Sequence, residues 1–221
     1  MPADTPAQRP VSELGPADRL RAALSDESSS ARLQSALAAG TYPDARFVAV
    51  LVDRSGVEPD FFVRDMLTWA LMRHPASTTV PRLLYEVGSE VPQARSQALH
   101  TLSKIGDPRG WSAITPEVLR DTDDVVATTA WRTASGLVPA GQEGALAEEL
   151  ATQLGRGELA VQRSLSRSIV ALGEPALPAL RARASHRDID IRIHAVATER
   201  LVLDPEESFD TALAEAKRLA R

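Results

Sequence analysis

Apolar and small residues recur along the chain at offsets 0, +4, +7 and +8 within segments that are otherwise polar. Val63, Leu67, Ala70 and Leu71 form one such set, and Ala94, Ala98, Thr101 and Leu102 the next. Further sets are Val126, Ala130, Thr133 and Ala134, then Val161, Leu165, Ser168 and Ile169, then Ile191, Ala195 and Thr198. A degenerate first copy runs Ala31, Ser35, Ala38 and Ala39. At about 100° per residue these offsets lie on one side of a helix, so each set predicts one amphipathic helix. The copies begin at residues 31, 63, 94, 126, 161 and 191, a period of 30 to 35 residues. Second helical stretches are predicted at 44–53, 78–88, 110–121, 142–154, 174–184 and 206–219. Turn signals such as Gly106-Asp107-Pro108 and Gly173-Glu174-Pro175 punctuate the two. A helix pair of this length cannot bury its apolar face alone, and stacked neighbours complete a shared core. The expectation is an all-α solenoid of about six helix pairs over residues 18–221. Residues 1–17, with four prolines among small and polar residues, are expected to form a mobile tail.

The segments from Ala94 to Pro108, ARSQALHTLSKIGDP, and from Ile169 to Leu180, IVALGEPALPAL, resemble the HEAT-repeat superfamily, particularly its phycobilisome-lyase-like subtype. The resemblance spans roughly residues 18–221. It implies a right-handed solenoid whose pattern helices line a concave surface. It also implies that Arg32, Arg64, Arg95 and Arg192, each next to the first apolar position of its copy, form an inter-repeat ladder with Asp side chains or backbone carbonyls. Copies four and five depart from the pattern, with Ala127 and Gln162 at that place.

Composition agrees with tight helix packing: alanine occurs 35 times and aromatic residues make up 4% of the chain. No run of about 18 apolar residues is present to span a membrane, and MPADTPAQRP carries no apolar core of a secretory leader. Cysteine is absent, which excludes disulfides and thiolate metal sites. A cytoplasmic location is the expectation. The net charge of −5 is unevenly spread, because the pattern helices are net basic and the rest of the chain is acidic.

Offsets +2, +6 and +9 point away from the core side. These columns hold Asp65, Trp69 and Met72, then Ser96, His100 and Ser103, then Thr128, Arg132 and Ser135. They continue as Arg163, Arg167 and Val170, and end at Ile193, Ala197 and Arg200. Trp69, Met72, His100, Arg132, Arg163 and Arg167 are therefore the candidate binding residues. Trp69 suits either anchoring a ligand or half-burial on a neighbouring helix. Trp131 is expected at the core margin and Trp111 in the core of an outer helix. The helix 206–221, with Phe209, Leu213 and Ala216 on one side, reads as a polar-backed cap.

Chemistry is sparse. His186, Asp188, Asp190 and His194 cluster around a turn but read as a helix cap and a solvated loop rather than a metal site. Asp121, Asp123 and Asp124 read as capping carboxylates. Ser135, Ser164, Ser166 and Ser168 read as helix or turn serines without a paired base, and no phosphate loop, metal motif or cofactor site is expected. The leading expectation is a non-enzymatic scaffold or adaptor whose groove takes a protein or an acidic peptide. The alternative resembles the HEAT-like alkylpurine DNA glycosylases, with Asp65 and Trp69 as the comparable acidic–aromatic pair. An acidic chain gains little from counterion release, which disfavours nucleic acid. A chromophore chaperone like the bilin lyases is a third reading, suggested by the repeat subtype. Partner identity and oligomeric state are open at this level.

Overall fold

The computed structural model describes residues 14–220, and the first thirteen residues of the expected tail lie outside them. The chain runs as helix pairs. α1 (Pro16–Ala23) leads into α2 (Ser29–Thr41), α3 (Phe47–Ser55) into α4 (Phe61–Met72), and α5 (Ala76–Glu86) into α6 (Pro92–Ile105). α7 (Pro116–Leu119) then precedes α8 (Asp124–Leu137), α9 (Glu143–Leu150) precedes α10 (Leu159–Val170), and α11 (Leu177–Arg183) precedes α12 (Ile189–Leu203). α13 (Phe209–Leu219) follows. Every copy of the apolar pattern lies in an even-numbered helix. These helices pack on one another in sequence to form an inner layer, and the odd-numbered ones up to α11 form an outer layer.

The core follows the pattern. Val63, Leu67 and Ala70 are fully buried, as are Val126, Ala130, Leu165 and Ile169. Asp60, Asp123 and Asp188 cap α4, α8 and α12, each carboxylate accepting two backbone N–H groups of the first turn. Gly106 ends α6 in the left-handed conformation, with φ of 68°. The predicted helix 110–121 is broken in two. Residues Pro108–Ala113 form a 3-10 turn, after which Thr115 accepts the N–H of Val118 and opens the short α7. Pro116 removes a backbone donor and disfavours helix at the residue before it, which explains the break. Trp111 consequently sits half-buried in the turn rather than in a helical core. Trp131 goes the other way and is completely buried, its indole N–H donating to the Leu119 carbonyl at 2.8 Å.

Small hydroxylic residues knit the inner layer. Ser96 meets Thr129 at 3.3 Å, Thr133 donates to the Leu99 carbonyl at 3.1 Å, and Ser135 donates to the Ser168 carbonyl at 2.8 Å. Their short side chains let adjacent helices approach closely while each of these hydroxyls keeps a partner; Thr68 on α4 is buried without one among the described residues. Ser96, expected on the open face, is buried for this reason.

The expected inter-repeat arginine ladder is met in part: all four arginines bind carbonyls of the loop that precedes their own helix, and only Arg32 and Arg95 reach the next repeat. Arg32 donates to the carbonyls of Asp26 and Glu27, Arg64 to those of Glu58 and Pro59, and Arg95 to those of Ser89 and Glu90. Arg192 donates to the His186 carbonyl. Two of these arginines also reach the next loop: Arg32 grips Glu58 and Arg95 grips Asp121, each with two hydrogen bonds. Glu58 is fully buried and is also bound by Arg54. Burial would raise its pKa, but the Arg32 hydrogen bonds, the Asp60 amide and Arg54 together hold it down at about 2. In copy five Gln162 replaces the arginine and donates to the Gly157 carbonyl. In copy four, where Ala127 can donate nothing, Arg156 of the following loop supplies the bond, reaching back to the Asp121 carbonyl and to Asp124.

Candidate binding surface on the inner layer

The face of the inner helices turned away from the outer layer carries the +6 column, and in copies two to five this column stays open. Trp69 is 37% exposed and Met72 45% exposed. The Trp69 ring lies against Gly40 of α2, where an added Cβ would collide with the ring and sit 2.8 Å from the Ala70 Cα. The indole is therefore covered in part by the α2 backbone and is otherwise open, so half-burial and presentation coexist at this residue. A glycine inside the last turn of α2 is the sequence signal for that contact.

Further along, His100 is half-buried and receives a hydrogen bond from Arg132, with Nη2 3.4 Å from Nδ1. Burial lowers its pKa, Arg132 and Lys104 lower it further, and Asp65 opposes them. The imidazole is thus held neutral, with its Nδ1 lone pair turned to Arg132. Arg132 and Arg167 are exposed and form no ion pair among the described residues. The structure therefore joins His100 to Arg132 and leaves Trp69 with Met72 as a separate apolar patch on α4.

Arg163 is engaged within the chain. Its Nη2 lies 2.7 Å from Oδ1 of Asp210, and its guanidinium stacks over the Phe209 ring at 5.5 Å. Both partners belong to α13, which does not extend the outer layer. It lies across the open side of α12 and buries Ile193 and Ala197 against Phe209, Ala212, Leu213 and Ala216. The last copy of the exposed columns is therefore covered, against expectation, because Ile193, Ala197 and Leu201 form an apolar strip that the amphipathic α13 matches. A cavity of about 480 Å³ remains between α10 and α13, lined by Arg163, Arg167, Val170, Leu201, Phe209 and Asp210 among others.

One serine has a histidine within hydrogen-bond distance, although the histidine cannot serve as its base. Ser166 Oγ lies 3.0 Å from His194 Nε2, and both residues are buried. The Gly155 N–H donates to His194 Nδ1 at 3.0 Å, which places the ring proton on Nε2, facing Ser166 and the Gln162 carbonyl. Burial pushes the imidazole down to about 4, against the opposing hydrogen bond to Gln162. A neutral imidazole already protonated on Nε2 cannot accept the serine proton, so the pair is structural rather than a nucleophile with its base. His186 and Asp188 form the cap of α12. Among the described residues no group of His, Asp and Glu is arranged to hold a metal, and no helix is long and apolar enough to cross a membrane.

No family model and no curated protein matches this chain. It is similar to two solved engineered proteins, with TM-scores of 0.46, sequence identities of 16% and 13%, and coverage of 86% of this chain and 97% and 99% of theirs. It is also similar to the complex of CpcE and CpcF of phycocyanin lyase from Nostoc sp., with a TM-score of 0.37 and 14% identity, covering 100% of this chain and 98% of that one.

Proposed function

We propose that this chain is a non-enzymatic scaffold or adaptor of the HEAT-repeat type, a right-handed solenoid of six helix pairs acting in the cytoplasm. Its inner face serves as a concave groove for a protein or acidic peptide. The observation that carries this reading is the open +6 column. Trp69 and Met72 offer an apolar foothold, and the guanidinium groups of Arg132 and Arg167, without ion pairs among the described residues, follow on α8 and α10. Exposed aromatic and arginine side chains on a rigid layer are the residues that dominate protein interfaces. His100 holds Arg132 in place without neutralising it, so the guanidinium stays available to a carboxylate.

Affinity capture from the native cell with the intact protein as bait tests this. A stoichiometric protein partner is expected, and Trp69→Ala combined with Arg167→Ala is expected to lose it. Recovery of the same partners by wild type and double variant overturns the assignment of the groove. Recovery of nucleic acid instead, with release of methylated purines from duplex DNA, would select the glycosylase alternative.

A further inference from the structure

We propose that α13 is a ligand held in cis: it occupies the C-terminal part of the groove, and the groove's partner is an amphipathic helix of the same design that competes with it. The partner helix carries an aromatic residue followed by an acidic one, with small or apolar residues three, four and seven positions after the aromatic. This deepens the adaptor reading and rests on it.

The first support is the break in stacking. Along the outer layer α3 packs on α1, α5 on α3, the 3-10 turn Pro108–Ala113 on α5, α9 on α7 and α11 on α9, whereas α13 packs chiefly on α12 and reaches back to α10 through Arg163. On α12 the two sides are separate. Ala195, Ile191 and Val202 face the main core, while Ile193, Ala197 and Leu201 face α13. Lifting α13 would expose that strip and leave the main core closed. An element seated on a small separate apolar cluster belongs to the low-stability end of a fold.

The second support is the chemistry of the seat. Phe209 lies under the Arg163 guanidinium and edge-on to His194, with ring centroids 6.1 Å apart, and Asp210 pairs with Arg163. That pair is surface-exposed, at 38% for Arg163 and 71% for Asp210, so it is exchanged readily for a carboxylate from another chain. The tether from Asp204 to Ser208 is exposed apart from Glu207, which binds Arg200 at 2.8 Å. The third support is the cavity beside α13, whose wall carries Arg167 without a carboxylate partner among the described residues. It gives an incoming acidic helix a foothold before α13 leaves.

The test uses the full-length chain and a fluorescent synthetic peptide of residues 206–220. Wild type is compared with Phe209→Ala/Asp210→Arg, which weakens the tethered helix while the peptide keeps its own Phe and Asp. The peptide is expected to bind the variant about ten-fold or more tighter than wild type, since the tethered competitor is weakened. Adding Arg163→Glu is expected to abolish that gain. Hydrogen exchange should accelerate in α13 while α6 and α8 keep their protection. Unchanged exchange in α13, loss of protection throughout α12, or equal peptide affinities with α13 released would each overturn the proposal. The peptide assay needs no native partner, so its failure leaves capture through Trp69 and Arg167 as a separate result.

Discussion

Two buried side chains, Glu58 and His194, tie the stability of this fold to acid in different pH windows. His194 has its pKa lowered from 6.5 to about 4 in the folded chain. The unfolded chain therefore binds the extra proton first, and the contribution of neutral His194 is complete above pH 6.5 and lost as pH falls to 4. At full effect the loss is about 3 kcal/mol. Glu58, lowered from 4.5 to about 2, contributes fully above pH 4.5 and is lost as pH falls towards 2. Thermal melts between pH 7 and pH 4 should show a decline in wild type that flattens in His194→Gln. Glu58→Ala at neutral pH strands Arg32, which is 6% exposed, without its carboxylate. Removing one partner of such a pair costs about 3–5 kcal/mol, readable as a shift in denaturation midpoint.

Among the elements, the inner helices were the most legible in the sequence and the outer ones the least. The inner copies keep strict apolar offsets because the outer layer and the neighbouring inner helices both pack on them, and Val63, Val126 and Leu165 all sit where the period puts them. The stretch 110–121 has a composition that suits one helix, and only Pro116 and the Thr115 cap reveal the break. Trp131 at offset +5 was placed at the margin, yet the short α7 leaves a carbonyl for its indole and draws it inside. The covering helix was legible as a cap from Phe209, Leu213 and Ala216 on one side, but the strip that it covers, Ile193 and Ala197, fell at positions read as open. Which helix fills that strip depends on chain reversal at 204–208, which periodicity does not encode. At this scale Leu67→Asp and Leu165→Asp should prevent cooperative folding, since each buries an unpaired carboxylate between the layers. Gly106→Ala meets no neighbour within 4 Å, so its cost is the left-handed backbone alone, about 1 kcal/mol by chemical denaturation.

For the whole molecule, the layered stack separates what holds the fold from what faces outwards. The ladder arginines donate to loop carbonyls, whereas Arg132 and Arg167 are exposed and free of ion pairs among the described residues. Binding through those two exposed groups should weaken on raising salt from about 0.15 to 0.5 M, because screening acts on solvent-facing charges. Thermal stability should fall less over the same range, since Arg32 and Glu58 are shielded from solvent. Titrating the captured complex and the free protein over one salt series separates the two effects.

The exchange of roles between Ala127 and Arg156 has a consequence for engineering of the chain. Elsewhere the ladder donor sits in the helix it serves, so a copy of the motif carries its own fastening. Between copies four and five the donor has moved into the neighbour, and the Asp121 carbonyl depends on a residue thirty-five positions downstream. Those two copies are consequently not interchangeable modules. A shortened or lengthened version spliced between residues 127 and 156 would orphan the carbonyl, whereas one that keeps this stretch intact inherits both halves of the joint.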